Sequence, residues 1–230
     1  GQELSFNSSE FLLGQAMDFP FDNLGNDNLG VGATPSRVNS GYSDKKLLSF
    51  FARANYNFDN KYLLTATIRA DGSTVFSEKN KWGYFPSFSA AWRISQESFM
   101  KDISAISDLK LRLGWGVVGN DRIASFLSLD LYEPSKYGIG STTYTVLTPK
   151  QLKNDNLKWE GSSTINMGID WGFLKNRVTM VSDFFIKDTK DLLLAQSLLE
   201  LTGFSSQYQN IGKIRNKGFE LSITGKPILK

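Results

Sequence analysis

The chain has 230 residues, of which 40% are hydrophobic and 13% aromatic, a composition too apolar for intrinsic disorder and sufficient for one large β domain or two small ones. It contains neither cysteine nor histidine, which excludes disulfides, thiol chemistry, Cys/His metal sites and a Ser-His-Asp triad. The net charge of +3 arises from 26 basic and 23 acidic residues that are well mixed, and no nucleic-acid-binding motif accompanies it, so no nucleic-acid partner is expected.

Short and long connections alternate along the chain. Short links fall at residues 59–61, 96–106 and 175–176, and long loops at residues 72–84, 119–156 and 192–210. Up-and-down strands with short turns at one end and long loops at the other are typical of an outer-membrane β-barrel, in which the long loops lie outside. No stretch approaches the roughly 18–20 consecutive apolar residues of a spanning helix, which excludes helical membrane insertion.

Seven segments alternate apolar and polar residues with a period of two, which predicts strands with one apolar face. They are residues 48–58, 62–71, 87–95, 109–117, 165–173, 177–187 and 219–224. The apolar faces carry no charged residue, whereas Arg53, Arg69, Arg93 and Arg112 fall on the polar faces. An arginine at the bilayer midplane costs roughly 2–4 kcal/mol, so the polar face is expected to meet water or protein.

The two tightest turns predict the register of two hairpins. If Phe58 and Tyr62 share a face, the loop between them needs an odd number of residues, and three are available. Phe173 must pair with Val178, which needs an even loop centred on the turn residues 175–176.

A soluble β-sandwich would show the same alternation, with the apolar face as its core. Two features favour a barrel. Aromatic residues gather at the ends of the apolar faces, as in an interfacial girdle: Tyr56, Phe58 and Tyr62 at one turn, Trp171 and Phe173 at another. The polar face is mostly Ser, Thr, Gly and Asn, which suits packing around a plug. The pattern alone favours the barrel and leaves the sandwich open.

A series of short motifs follows in order along residues 47–225. They are Arg69-Ala-Asp-Gly-Ser73, Trp82-Gly-Tyr-Phe-Pro-Ser-Phe-Ser-Ala-Ala-Trp-Arg93, Ser107-Asp-Leu-Lys-Leu-Arg112, Gly114-Trp-Gly, Gly119-Asn120, Asn156-Leu-Lys-Trp-Glu160, Gly168-Ile-Asp170, Lys187-Asp-Thr-Lys-Asp-Leu-Leu193 and Asn210-Ile-Gly-Lys-Ile-Arg-Asn-Lys-Gly-Phe-Glu-Leu221. Together they resemble the barrel of the SusC/RagA family, TonB-dependent outer-membrane transporters of Bacteroidota-type bacteria.

The resemblance implies an all-β fold, an antiparallel up-and-down transmembrane β-barrel of which this chain supplies a part, about seven of 22 strands. Residues 1–46 are then expected to be an extracellular loop region, residues 47–225 the partial TonB-dependent receptor β-barrel, and residues 226–230 a truncated end. In such proteins an N-terminal plug domain fills the barrel, the inner-membrane TonB complex moves the plug, and a SusD-like surface lipoprotein covers the mouth. The sequence shows no TonB box and no plug, so we expect a piece of a longer protein, embedded in the lipid of the cell outer membrane.

The function implied by the resemblance is the uptake of oligosaccharides or peptides too large for porins. No enzymatic activity and no cofactor are expected. The alternatives are a non-energised outer-membrane barrel, such as an adhesin or passive pore, and a soluble carbohydrate-binding β-sandwich.

Two sets of residues are candidates for function. Aromatic residues of the long loops are predicted to contact the substrate or the lid: Trp82, Tyr84, Tyr132, Tyr137, Tyr144, Phe204 and Tyr208. For Trp82 and Tyr84 the alternative is a place in the outer aromatic girdle. The four arginines of the polar face, Arg53, Arg69, Arg93 and Arg112, are predicted to face the lumen and to pair with plug carboxylates rather than to line the path of an anionic substrate. Charge reversal at Arg69 is therefore expected to weaken plug retention or assembly before it alters substrate preference.

Asp18, Asp22 and Asp27 lie in a segment rich in Asn and Gly that could offer oxygen ligands to Ca²⁺. Their spacing matches no EF-hand loop, so the segment is predicted to be an ordinary outer loop and no metal site is expected.

Overall fold

The computed structural model describes residues 1–20 and 28–226. Within these residues the chain forms twelve β-strands. They are β1 Gln2–Met17, β2 Thr34–Phe58, β3 Tyr62–Ser73, β4 Trp82–Arg93, β5 Ile106–Asn120, β6 Tyr132–Ile139, β7 Thr142–Pro149, β8 Glu160–Phe173, β9 Val178–Lys190, β10 Leu193–Ser197, β11 Ser206–Asn210 and β12 Lys213–Gly225. Short 3₁₀ turns lie at Leu29–Val31, Glu78–Asn80, Ile94–Gln96, Ser98–Met100 and Glu200–Thr202. None of the helices in this described part is long and apolar enough to cross a membrane.

Eight of these strands form one sheet in the order β1-β2-β3-β4-β5-β8-β9-β12, with all neighbours antiparallel. The pairs β6–β7 and β10–β11 form separate ribbons within two of the long loops. The seven predicted strands are all present, as β2, β3, β4, β5, β8, β9 and β12. The predicted all-β, antiparallel, up-and-down architecture is confirmed.

The eighth strand, β1, lies where the sequence predicted a loop. It pairs with β2 from Gln2 opposite Phe50 to Met17 opposite Thr34, so the expected boundary after residue 46 falls inside β2. Nearly all side chains of β1 are exposed on both faces. Neither face of β1 is consistently apolar, because Glu3 falls on one face and Glu10 on the other, and this explains why the period-two pattern missed it.

The predicted register of both hairpins is confirmed. Phe58 pairs with Tyr62, and Phe173 pairs with Val178. The turn residues adopt the left-handed backbone region that Asn and Asp tolerate best: φ is 51° at Asp59, 52° at Asn60, 57° at Lys175 and 60° at Asn176.

The apolar face of the eight-stranded sheet is exposed along its whole length. Large side chains of five strands of this sheet show between 42% and 51% of their surface: Phe50, Phe88, Trp115, Ile165 and Phe184. Near the short turns the aromatic residues form rows, in which Tyr56, Phe58, Tyr62 and Trp92 follow one another at centroid distances of 6.3–6.5 Å and Trp171 stacks on Phe173 at 6.1 Å. Such a face needs an apolar environment outside the chain.

The buried hydrophobic core of the described residues is small and lies among the long loops. Val75, Phe76 and Leu157 are almost completely buried, and Trp159 packs on Phe76 at a centroid distance of 5.3 Å. Partly buried residues from two other stretches of the chain, between β5 and β8 and between β9 and β12, surround them: Ile123, Leu127, Leu193 and Tyr208. Residues of the three long loops therefore pack together at one end of the sheet. We call the buried cluster of Val75, Phe76 and Leu157 the loop core.

Candidate functional site

The polar face of the sheet carries two arginine centres. In the first, Arg112 on β5 pairs with two carboxylates of neighbouring strands: its Nη2 lies 2.7 Å from Asp170 Oδ1 and 3.0 Å from Asp183 Oδ1. Arg112, Gly168 and Asp183 are aligned across β5, β8 and β9, and a Cβ on Gly168 would overlap the carboxylate of Asp183 and lie 2.7 Å from the guanidinium carbon. The missing side chain at Gly168 is what lets Arg112 reach across an entire strand.

The second centre surrounds Arg69 on β3. Its Nε donates to Asp71 Oδ1 at 2.7 Å, and its Nη2 donates to Glu3 Oε2 at 2.9 Å and to Ser49 Oγ at 2.8 Å. Ser49 is completely buried and Asp71 is 8% exposed. Three strands, β1, β2 and β3, are tied together on one face by a single guanidinium.

The other two predicted arginines differ from these. Arg53 donates from Nε to Thr67 Oγ1 at 3.2 Å, and Arg93 lies directly opposite Lys110 on the neighbouring strand. Within residues 1–20 and 28–226, neither arginine forms a salt bridge with a carboxylate. The pairing of the four arginines with plug carboxylates stays a prediction.

The carboxylate partners of Arg69 and Arg112 on the sheet itself were missed by the sequence reasoning. The period-two alternation puts Asp71, Asp170 and Asp183 on the polar faces of their strands, but it does not show which strands are neighbours in the sheet. Glu3 lies on the unpredicted strand β1. Parity combined with the up-and-down strand order would have found Asp170 and Asp183.

A third polar centre joins the sheet to the long loops. Asp121, directly after β5, accepts from Ser73 Oγ at 2.7 Å and pairs with Lys45 Nζ at 2.8 Å. Ser73 is completely buried. The hydroxyl and carboxylate in this region therefore hold structure together, and within the described residues no acidic cluster with metal-binding geometry is found. Of the three aspartates considered for Ca²⁺, Asp22 and Asp27 lie outside the described residues.

The structure separates the predicted aromatic contact residues into groups. Trp82 pairs with Gly72, and Tyr84 with Ala70, which places both on the apolar face, where Trp82 stacks on Phe50 at a centroid distance of 6.2 Å. This position matches the girdle alternative. Tyr208 packs against the loop core, and Phe204 is half-buried in the loop between β10 and β11.

The remaining three tyrosines lie on the β6–β7 ribbon. Tyr137 and Tyr144 are directly opposed and share one face, whereas Tyr132 pairs with Pro149 on the other face. All three are at least half exposed. At the base of the ribbon, the N–H of Lys150 donates to the carbonyl of Leu131 at 2.7 Å, so a hydrogen bond joins the two ends of the ribbon. Its aromatic pair is exposed on one face of the ribbon.

At the opposite end of the sheet, a carboxylate is anchored beside the aromatic row. Glu97 accepts from the Tyr62 hydroxyl at 2.7 Å and from the Trp92 indole at 3.1 Å, and Lys61 lies 3.4 Å away. The hydrogen bond from Tyr62 is the main reason that the pKa of Glu97 lies below its ordinary value of 4.5, and the bond from Trp92 adds to it. The pKa of Lys61 is raised, mainly by its hydrogen bond to Asp59.

Comparison with known proteins shows which family shares this architecture. Residues 1–229 match the family model described as TonB dependent receptor-like, beta-barrel. The chain is 41% identical over its whole length to the TonB-dependent receptor SusC of Bacteroides thetaiotaomicron, and 39% identical over 90% of its length to the TonB-dependent receptor P39 of Formosa agariphila. It covers 23% and 19% of these relatives, so it spans about a quarter or less of their length.

Solved structures agree with the sequence relatives. The RagAB peptide importer in its closed-closed state superposes over the whole chain with a TM-score of 0.88 at 27% identity, and 25% of that structure's chain is covered. The open-open state of the same importer superposes over 97% of this chain with a TM-score of 0.81. Proteins of this family are outer-membrane proteins. The chain belongs to the TonB-dependent receptor β-barrel family, within the SusC/RagA group, and supplies a part of such a barrel.

Proposed function

We propose that this chain is part of the barrel wall of a TonB-dependent nutrient importer that takes up oligosaccharides or peptides together with a SusD-like surface lipoprotein. The observation that carries this proposal is the 41% identity to SusC over the whole chain. The plug domain and the site for the TonB complex would lie in parts of the protein beyond these residues. The proposed role is transport, with no catalytic step.

The charge pattern of the polar face supports a plug on the inside of the barrel. Arg93 lies opposite Lys110, and like charges directly opposed on a sheet destabilise it. Lys110 is 3.6 Å from Asp170, but that carboxylate is already shared with Arg112. A carboxylate from a plug would relieve the repulsion at Arg93, and this is the physical basis for keeping Arg53 and Arg93 as plug-facing residues.

The β6–β7 ribbon supports the proposed contact with the substrate or the lid. The β6–β7 ribbon presents Tyr137 and Tyr144 side by side, and such amphipathic aromatic pairs suit sugar rings and peptide groups alike. The ribbon lies in the connection between β5 and β8, at the end of the sheet that bears the long loops. In an outer-membrane barrel this end faces the cell exterior.

Two measurements test the proposal. Extraction of the native outer membrane in mild detergent, followed by mass spectrometry of the purified complex, is expected to find a parent chain several times longer than 230 residues together with a surface lipoprotein. Uptake of the co-purified substrate class is expected to stop when the proton-motive force is dissipated. Uptake that persists would support the passive pore, and a short soluble parent chain without a lipoprotein would contradict the importer.

A further inference from the structure

The lipid-facing side of β9 and β12 changes from apolar to basic toward the long loops. On β9, Val178, Met180, Ser182, Phe184 and Ile186 share this face and are followed by Asp188 and Lys190. On β12, Ile223, Leu221 and Phe219 are followed by Lys217, Arg215 and Lys213. We call Lys190, Lys213, Arg215 and Lys217 the outer basic patch.

The outer basic patch lies at the height of the outer headgroups. Eight residue steps separate Val178 from Ile186, which at about 3.4 Å per residue and a tilt of about 40° correspond to a height of about 21 Å. The apolar band of an outer-membrane barrel is about 25 Å tall, so β9 has crossed most of it at Ile186. The charged residues begin where the hydrocarbon ends, on the side of the long loops.

Among residues 1–20 and 28–226, the charges of the patch are not neutralised. Four cations surround one carboxylate, a net charge of +3. Arg215 uses Nε and Nη2 for Asp188, at 2.6 Å and 2.7 Å. Lys190 lies directly opposite Lys213, a like-charge pair that destabilises a bare sheet. In the part of the chain that the structure describes, none of the three lysines forms a salt bridge, and all three are exposed.

We propose that the outer basic patch binds the phosphate groups of a glycolipid in the outer leaflet, with the acyl chains lying on the apolar residues below it. A lysine ammonium is a compact charge that binds phosphate well, and the aliphatic stems of Lys213 and Lys217 can extend along the sheet toward the headgroups. An anion between Lys190 and Lys213 would turn their repulsion into a shared contact. Phe184 and Phe219, directly opposed on the same face, provide the apolar floor that such an amphipathic ligand needs.

The test uses the full-length protein, purified in detergent and titrated with lipid A that carries its phosphates while bound lipid is counted by native mass spectrometry. The triple variant Lys190→Gln, Lys213→Gln, Lys217→Gln is expected to bind about tenfold or more weakly than the parent protein, given the contribution of each basic residue near an anionic lipid. Lipid A from which the phosphates have been removed is expected to bind both proteins equally weakly. Inorganic phosphate is expected to displace the lipid only at high concentration.

A matched control removes the same charge elsewhere. Lys101→Gln, Lys175→Gln, Lys187→Gln alters two residues near the short turns and one on the polar face of β9, and is expected to bind lipid A like the parent. Equal lipid A binding by the patch variant and the parent would overturn the proposal. A loss of lipid A binding in the control variant as large as that in the patch variant would also overturn it. Inorganic phosphate binding without lipid preference, or loss of a protein subunit without loss of lipid, would overturn it as well. If the triple variant fails to fold, lipid A binding is measured on the single variant Lys213→Gln instead.

Discussion

At the residue scale, the Arg112 centre depends on the absence of a side chain. Gly168 occupies the strand between Arg112 and Asp183, and the guanidinium passes over its Cα to reach the carboxylate. Glycine weakens a strand by roughly 0.5–1 kcal/mol relative to alanine, so its presence here needs a compensating gain. The motif Gly168-Ile-Asp170 supplies both the open space and one of the two carboxylates.

Replacement of Gly168 by alanine should therefore destabilise the protein, although alanine favours strands more than glycine does. The new Cβ collides with Asp183 and the Arg112 guanidinium, and overpacking of this kind costs about 1–3 kcal/mol. The measurement is urea unfolding of the full-length protein in detergent, followed by tryptophan fluorescence. Gly114→Ala on the same polar face is the control, because its Cβ would meet only Asn166 at 3.9 Å. Equal effects of the two substitutions would contradict the spacing argument.

A second prediction at this scale concerns pH. The pKa of Glu97 is lowered in the folded protein, chiefly by the hydrogen bond from Tyr62, so the ionised form favours folding. This contribution is present above the ordinary pKa of 4.5 and is lost as the pH falls through the lower folded-state pKa. The difference in melting temperature between the parent and Glu97→Gln should be largest near neutral pH and should shrink below pH 4.5. Glu200→Gln, in the loop between β10 and β11, is the matched control, because it removes a carboxylate far from Tyr62 and Trp92 in the sequence.

At the element scale, the strands with one apolar face were predicted from the sequence, and the strands without such a face were missed. The seven strands that cross the membrane alternate because one face must be apolar, and turn parity then fixed the pairing of Phe58 with Tyr62. Strand β1, the ribbons β6–β7 and β10–β11, and the outer ends of β9 and β12 extend where both faces can be polar, so their period-two signal is absent. The carboxylate partners of Arg112 needed the order of the strands, which no single segment carries.

The β6–β7 ribbon can be removed without breaking the sheet, because Leu131 and Lys150 are already joined by a hydrogen bond of 2.7 Å. Replacing residues 132–149 by two glycines should leave barrel assembly intact and reduce substrate uptake or lid retention about tenfold, as loss of a loop contact surface would. The paired substitution Tyr137→Ala, Tyr144→Ala should reproduce a large part of this effect. Assembly is measured by the heat-modifiable migration of the folded barrel, and unchanged uptake with unchanged lid retention would exclude the ribbon from both roles.

At the scale of the whole molecule, the eight-stranded sheet has neither a packed core beneath it nor partners at its edges within the described residues. Its apolar face is exposed from Phe50 on β2 to Phe219 on β12, and its buried hydrophobic residues are confined to the loop core. Strands β1 and β12 each have a neighbour on one side only. Unpaired backbone groups in hydrocarbon cost several kcal/mol each, so a barrel needs further strands to close.

Residues 1–230 expressed alone should therefore aggregate in buffer without detergent, since the open edges pair with other copies and the apolar face has no lipid. Light scattering coupled to size-exclusion chromatography, with and without a mild detergent, measures this directly. Detergent should reduce the aggregates by covering the apolar face, but it should not give a uniform monomer, because the edges of β1 and β12 remain open. A monodisperse species near 25.7 kDa in detergent-free buffer would mean that the sheet closes on itself as a soluble sandwich. The apolar face would then be a core and not a lipid surface.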